Sequence, residues 1–586
     1  MQVLNGSYKY GQGFYYQPFY YVIFLPAIYA ILGADPAGVI LVQSVLGALC
    51  VYLIGMSAAR LFGRAAGLAG AALLALSRFH IFYTPFTLIE ILLSFWLTLF
   101  LYLGVAAYHR KRLWPWVLDG LVLGISVTIR GSMVTLLLPV LAMVAWQFRH
   151  EKVKMSTGVL LCILCTYLPQ LPFAVVNYRC AGRWVGAVTS TSRNLALANT
   201  PESPPGCRDP EAGAGPMEYT PCYEEWTRLD ALPNSRRVPI SISIQRWFIA
   251  EPLAFLELKF RMLLLFWNKM EIPNNVAIRN WNHRTGRLEP VPSPLLHMPF
   301  LLDFPLIGGL GLAGALLALR QAYRKPGIIF AEAVLWLYCM TSLFFLIMAR
   351  YRVVVLPVIC GFGGYGIAVI VRRFVRAVKE HEHERERAFL RAVIMFMSCV
   401  AFVGFGYDAY RYGCEAAVVR YVRPHGVCVE LLDRYTLKDS GPFPFGGWQS
   451  VELPAGEPAL RVRKLLAPGS RILAEGPLAV RLPIFSQRSC LIAVRSGSAE
   501  HCRIRVEPGL KWIEYPLPPE QSEPLRIRLR QGDSLKLELS IAREGPASAY
   551  CFFDGQRTYG RTDVSSAQAY GEMVIELVIF KKAKKA

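Results

Sequence analysis

The feature that most constrains this chain is a series of apolar runs, each close to the length that crosses a bilayer. They are Val39 to Met56, Ala65 to Phe82, Ile89 to Tyr108, Gly158 to Phe173, Leu301 to Leu319, Ile328 to Met348, Val353 to Val371 and Phe389 to Phe405, with two shorter halves, Trp116 to Val127 and Met133 to Trp146, meeting around Arg130 and Gly131. A crossing helix needs roughly 20 apolar residues. A chain of 586 residues that is 54% hydrophobic, with its apolar residues in such blocks, reads as an α-helical polytopic membrane bundle of about 9–11 spans.

The formal net charge is +22. In a water-soluble chain this would point to nucleic acid, but here many basic residues sit in short links between apolar runs, so topology and anionic headgroups account for them and no nucleic-acid partner is expected. If every run crosses, Arg60 and Arg64, Arg110 to Arg112, Arg149 to Lys154, Arg320 to Lys325 and Arg372 to Arg391 share one face, which the positive-inside rule makes cytoplasmic. The opposite face then carries Arg78 to Glu90, the segment from Asn177 to His297, the link at Arg350 and everything after Tyr407.

This divides the chain into five parts. Residues 1–36 form an outer stretch with a short apolar run, Phe19 to Leu32, that fits an interfacial helix. Residues 37–176 and 298–407 hold the membrane helices. Residues 177–297 form an extracytoplasmic loop domain, in which Pro201 to Pro216 is rich in proline and glycine and Ile244 to Trp267 has apolar residues at helical spacing. Residues 408–586 alternate with period two, as in Leu525 to Arg530 and Leu535 to Leu539, with turn residues Gln531 to Asp533 between, so a C-terminal β-sandwich-like domain is expected there. That domain is either a structural appendage or a carbohydrate binder.

The 14 cysteines form no zinc pattern. Cys162 and Cys165 lie inside an apolar run and read as small core residues. Disulfides are compatible with Cys207, Cys222, Cys490 and Cys502 on the outer face. No residue pattern fixes a cofactor. A divalent metal is compatible with the chemistry, but one carboxylate is no metal site.

Arg350-Tyr351-Arg352 lies between two apolar runs on the outer side, against the usual charge bias. A cation there is costly unless it meets an anion, and guanidinium binds phosphate oxygens bidentately. Tyr351 adds a hydroxyl or a stacking face. Glu90 stands at the outer mouth of a run and is the candidate general base, metal ligand or sugar-hydroxyl acceptor; the plain alternative is a carboxylate favoured by a helix dipole. Arg130 is an isolated cation between two apolar halves, placed to meet Glu90 or a bound anion. His80 and Tyr83 share the link with Glu90 and are candidates to line the same cavity. Glu271 is a candidate to reach it from the outer segment.

Taken in order, Tyr15 to Tyr20, Val42-Gln43, Thr87 to Glu90, Thr128 to Arg130, Asn177-Tyr178, Asn194 to Asn199 followed by Pro201, Glu251-Pro252, Trp267 to Asn275, and Arg350 to Arg352 with Pro357 resemble the polytopic GT-C glycosyltransferases. The likeness is to bacterial relatives of dolichyl-phosphate-mannose protein mannosyltransferase and of aminoarabinose transferase. It covers roughly Asn5 to Tyr407. It implies inverting transfer of a sugar from a polyprenyl-phosphate donor to a protein, lipid or glycan acceptor, on the outer face of a bacterial inner membrane. It implies that the lipid phosphate meets Arg350, Tyr351 and Arg352, and that Glu90 takes the second acidic position of the cavity. The family's first span and the acidic residue of its first outer loop have no counterpart before Asp35, so a start downstream of the natural one is expected, and as recorded the chain is either inactive or leaves Glu90 to serve alone. Two other readings stay open: a transporter or flippase for a lipid-linked sugar, and a non-catalytic sugar-binding membrane scaffold.

Overall fold

The computed structural model describes residues 17–110, 112–182, 186–188, 191–200, 203, 221–232, 236–269, 279–282, 287–290, 294–322, 325–345, 347–380 and 383–417, and in the C-terminal region 420–422, 427–433, 448–456, 459–466, 478–486, 488–496, 502–506, 509–520, 522–524, 535–547, 549–554, 562–564, 572–573 and 576–582. The chain divides into two compact units. The first is Met1–Ala198, Lys259–Lys269 and Pro292–Tyr407; the second is Asn199–Leu258, Met270–Val291 and Asp408–Ala586. The outer segment expected at 177–297 is thus shared: both its start and Lys259–Lys269 pack with the helical unit.

The helical unit opens with a π-helical turn, Phe19–Phe24, running into α1 (Leu25–Leu32). Tyr20 is fully buried, and its hydroxyl donates to Gln43 Oε1 at 3.3 Å. α2 (Pro36–Phe62) starts where Asp35 caps it, Oδ1 accepting from Ala37 N at 2.9 Å, with proline at the first helical position, and it stops at Gly63, whose φ of 102° disfavours any side chain. Then come α3 (Arg64–Ala75), α4 (Arg78–Tyr83), α5 (Ile89–Arg110) and α6 (Trp114–Ile129). Gln43 Nε2 of α2 donates to the carbonyls of Thr84 (2.9 Å) and Phe86 (2.6 Å), which pins the link leading into α5.

At Arg130 the backbone leaves the helix (φ −144°, ψ 111°) and a 3₁₀ segment, Gly131–Leu136, leads into α7 (Leu137–Gln147). The two short apolar halves therefore are separate helices meeting at Arg130. α8 (Lys152–Tyr167) and α9 (Leu171–Ala181) follow, joined through a 3₁₀ turn, then α10 (Thr191–Ala198), α11 (Pro221–Ala231), α12 (Ile240–Ala250), α13 (Pro252–Phe266), α14 (Phe304–Ala322), α15 (Pro326–Ser342), α16 (Ala349–Glu380) and α17 (His383–Ala417).

Among the described residues six helical stretches are long and apolar enough to cross a membrane: Pro36–Phe62, Ile89–Tyr108, Lys152–Cys180, Phe304–Ala322, Ala349–Lys379 and His383–Tyr407. Phe19–Leu32, α3, α6, Gly131–Gln147 and α15 are apolar but shorter, and they account for the gap between six and the expected 9–11. The chain is a multi-pass membrane protein. Burial separates centre from rim: 83% of the apolar window of α16 is inside the protein, against 22% for Lys152–Cys180 and for His383–Tyr407. Outward Leu160, Leu164, Met397 and Phe405 on the rim helices are what lipid would cover.

α16 earns its central place through small residues. It packs on α3, α14, α5 and α2. A Cβ on Gly364 would fall 2.3 Å from both Ala66 O and Gly70 N of α3, so the two backbones touch.

The C-terminal part of the second unit contains two antiparallel sheets, one of eight strands and one of five. Strand Leu478–Ser486 is central to the first and Leu535–Glu544 to the second. Val480, Leu482, Ile484 and Ile513 of one sheet and Ile492, Val494, Leu539 and Ile541 of the other share a single apolar core. The β-sandwich expected from period-two alternation is present; Leu525 to Asp533 lie outside the described residues. Cys490 and Cys502 are free thiols, and the strand register explains it: Cys490 is opposite Val506 while Cys502 is opposite Val494. Cys162 is a buried free thiol donating to Trp116 O at 3.4 Å, as its apolar setting implies. Cys207 lies outside the described residues.

Candidate active site

The arginine pair does not form a free link. Ala349 opens α16, so Arg350, Tyr351 and Arg352 occupy its first turn. Two cations at the positive end of a helix dipole are destabilising by about 0.3–1 kcal/mol each unless compensated. Successive helical residues are about 100° apart, so Arg350 and Arg352 point to different sides.

Arg350 meets Glu90. Its Nε lies 3.4 Å from Glu90 Oε1, and Arg130 Nη2 lies 3.4 Å from the same oxygen. The Glu90 side chain is 1% exposed and each arginine 16%. Glu90 sits in the first turn of α5, where the dipole favours a carboxylate, and Arg130 follows the last residue of α6, where it favours a cation. The guanidinium of Arg130 also lies over the Tyr351 ring, 4.2 Å from its centroid, and its Nη1 donates to the Tyr338 hydroxyl at 3.3 Å. Tyr338 in turn donates to the Tyr351 carbonyl at 2.9 Å. Three helix ends and α15 thus converge on one carboxylate.

Both arginine contacts at 3.4 Å are longer than the 2.7–2.9 Å of a tight charge-assisted hydrogen bond, so these guanidiniums are near Glu90 without being locked to it. The second carboxylate oxygen, Oε2, is buried with no hydrogen-bond partner among the described residues. One carboxylate oxygen thus lies 3.4 Å from a guanidinium nitrogen of each of two arginines in a nearly buried place.

Arg352 lies elsewhere. It is fully buried, donates through Nη1 to the Asn268 carbonyl, and its guanidinium lies 4.4 Å from the Phe304 ring centroid and 5.3 Å from that of Phe79. It ties the first turn of α16 to the segment after α13. His80 is buried, with Nε2 3.3 Å from the Gly47 carbonyl of α2. Tyr83 is buried with its ring edge-on to Phe82, centroids 5.1 Å apart. Glu271 lies outside the described residues. Tyr338 is the residue that sequence reasoning missed: a tyrosine within an apolar run carries no signal of its own, and only the fold sets it between Arg130 and Tyr351. Among the described residues no three His, Cys, Asp or Glu side chains gather as a metal site would need.

Residues 16–173, which include Glu90 and Arg130, match the family model described as dolichyl-phosphate-mannose-protein mannosyltransferase. No curated protein matches the chain. Among solved structures, the oligosaccharyltransferase AglB from Archaeoglobus fulgidus, in complex with an inhibitory peptide and a dolichol-phosphate, is 15% identical with a TM-score of 0.36, over 70% of this chain and 50% of AglB. The arabinosyltransferase EmbB from Mycobacterium smegmatis is 11% identical with a TM-score of 0.23, over 97% of this chain and 69% of EmbB. This chain spans about half the length of the AglB chain it is similar to. The similarity to the mannosyltransferase family model thus lies in residues 16–173, the part of the chain that holds Glu90 and Arg130.

Proposed function

We propose that this protein transfers a sugar from a polyprenyl-phosphate donor to an acceptor hydroxyl at the outer face of a bacterial inner membrane, with the C-terminal sandwich on the same side. The single observation that carries the reading is Glu90: a buried carboxylate with two guanidiniums 3.4 Å from one oxygen and, among the described residues, no hydrogen-bond partner for the other. At rest Glu90 holds the place of an anion for Arg130 and Arg350. A donor phosphate entering at the start of α16 draws the guanidiniums towards its own oxygens, assisted by the positive end of the helix dipole. Glu90 is then released to accept the proton of the acceptor hydroxyl. The hydroxyl oxygen bonds to the sugar C1 from the face opposite the phosphate. The C1–O bond to phosphate breaks, and its electron pair stays on the phosphate oxygen, where the guanidiniums stabilise the charge. Tyr351 and Tyr338 position Arg130. Arg352 acts at one remove, by fixing the first turn of α16. His80, Tyr83 and Glu271 are kept as cavity candidates.

The test uses the purified full chain in detergent with a radiolabelled polyprenyl-phosphate mannose. Specific binding that falls at least about tenfold in both Arg130→Gln and Arg350→Gln is expected. Donor binding indifferent to both substitutions would sink the assignment of the phosphate site.

A further inference from the structure

α16 runs on beyond the apolar interior of the bundle. Its uncharged stretch from Val353 to Val371 has 19 residues, about 28 Å at 1.5 Å per residue, close to the hydrocarbon thickness of a bilayer. Arg372 therefore comes at the depth where headgroup phosphates begin. From there the helix is two-faced. Residues along a helix are about 100° apart, so Val371, Val375 and Val378 share an arc of about 60°, and Arg372, Arg376 and Lys379 share the adjoining one. All six are exposed. On the far side Ala377 is buried, and the Phe374 ring meets that of Phe389 on α17, centroids 5.4 Å apart. Arg373 Nη1 donates to the Ala388 carbonyl at 3.0 Å. These two contacts bring Arg372 and Arg376 level with Arg387 and Arg391, which stand one turn apart on α17 and are also exposed. Past them α17 turns Leu390, Ile394 and Met397 outward. Four guanidiniums on two helices thus form a belt at one depth, beside outward apolar side chains. Arg372 gives its Nε to the Ala368 carbonyl at 3.2 Å; among the described residues no hydrogen bond or ion pair engages Arg376, Arg387 or Arg391. Glu384 and Glu386, in the first turn of α17, precede the belt, and Glu386 lies 3.6 Å from His383.

We propose that this belt is a binding site for anionic phospholipid headgroups at the membrane surface where α16 ends. Guanidinium forks take phosphodiester oxygens bidentately and give up water more readily than an ammonium does. The exposed Val371, Phe374, Val375 and Leu390 lie beside the arginines, at the depth of the upper acyl carbons, so one lipid meets charge and apolar surface together. Depth decides against an acidic protein partner: the belt begins at the first charge after a full crossing length of uncharged helix. The general excess of cations on one face predicts only a diffuse preference for anionic lipid. Unengaged guanidiniums gathered at one depth predict a site with a stoichiometry. The belt lies at the opposite end of α16 from Arg350, and the proposal does not rest on the function assigned to Glu90.

Native mass spectrometry of the full chain in detergent, titrated with phosphatidylglycerol or with phosphatidylcholine, counts bound lipids and gives their affinities. Phosphatidylglycerol should bind at least about tenfold tighter than phosphatidylcholine, and less tightly as salt rises. Each arginine at a lipid surface is worth about fivefold, so Arg376→Gln combined with Arg391→Gln should weaken phosphatidylglycerol by about 20–30-fold. Arg64→Gln combined with Arg149→Gln removes the same charge elsewhere on that face and should change binding by less than about twofold. An unchanged unfolding temperature confirms that both double variants fold. Equal binding of the two lipids would overturn the site, as would an equal loss in the two double variants or no loss in the first. Inorganic phosphate or pentaglutamate displacing phosphatidylglycerol at equal concentration would overturn it too, in favour of a soluble anion or an acidic protein.

Discussion

Replacing Glu90 by Gln separates the two jobs assigned to it, because they respond in opposite directions. The amide keeps the shape of the side chain and its capacity for hydrogen bonds but cannot take a proton at neutral pH. Loss of a general base costs about 10²–10⁴ in rate. The same substitution removes the negative charge that now sits 3.4 Å from both guanidiniums, making the cluster one unit more positive. A phosphate held by those guanidiniums would lie about 5 Å from the lost carboxylate, and at an effective dielectric of about 20 the repulsion removed is about 3 kcal/mol. Discounted for the partly exposed arginines, about 1–2 kcal/mol remains, or about 5–30-fold tighter donor binding. Transfer from labelled polyprenyl-phosphate mannose under single-turnover conditions and equilibrium donor binding should therefore move apart: slower chemistry, stronger binding. Transfer within about threefold of the parent would remove Glu90 as the base. Weaker donor binding would refute the idea that the carboxylate holds the place of the phosphate.

Three further outcomes follow from the packing. Arg350→Ala should weaken donor binding by about 10–100-fold with little change in unfolding temperature, whereas Arg352→Ala, which removes a fully buried guanidinium from Asn268, Phe304 and Phe79, should cost about 2–4 kcal/mol of stability in a detergent unfolding series; the reverse pattern would show that the two arginines have been assigned to the wrong sides of α16. Gly364→Ala should destabilise by about 1–3 kcal/mol or more, since its Cβ would meet the α3 backbone at 2.3 Å, while Gly404→Ala, with nothing within 4 Å, should be neutral in the same melts. Lys259, outside the crossing helices, has its ammonium brought down to about 7 by burial, with Nζ donating to the carbonyls of Leu343 (2.9 Å) and Ala198 (3.3 Å). The unfolded chain binds that proton up to about 10.5 and the folded one only to about 7, so this group makes stability rise with pH between those values, by about 1.4 kcal/mol per unit at most. Melts from pH 7 to 9 should show the rise in the parent and a smaller one in Lys259→Met; identical slopes would remove Lys259 as its source.

What was legible in the sequence follows physical range. Apolar runs and period-two alternation are local, so the helical bundle and the sandwich could be read directly. Arg130 between two apolar halves announced a break because a charge in such a place needs a reason, and the helix does end there. Span number was harder, because α3, at 12 residues, and α15, at 17, are apolar enough but short. Their contacts with α16 and with the 3₁₀ segment before α7 lie far apart in sequence. Tyr338 illustrates the limit: its role depends on Arg130, 208 residues away, and on the carbonyl of Tyr351, and neither neighbour leaves a trace in the local pattern.

The arginine motif shows most clearly where linear reading stops. Arg350 and Arg352 look like a matched pair on paper, and phosphate chemistry would welcome both. Read as a link, they could turn the same way. As the first turn of a helix, they cannot: a 200° separation brings only one of them to Glu90. The other must be buried against protein, and a buried guanidinium persists only where carbonyl oxygens and aromatic faces meet it, as those of Asn268, Phe304 and Phe79 do. The second cation beside Glu90 then comes from another element. Arg130 supplies it from the end of α6, at the same 3.4 Å from Glu90 as Arg350. The pairing that matters is between residues 130 and 350, and it exists because both helices end on one carboxylate.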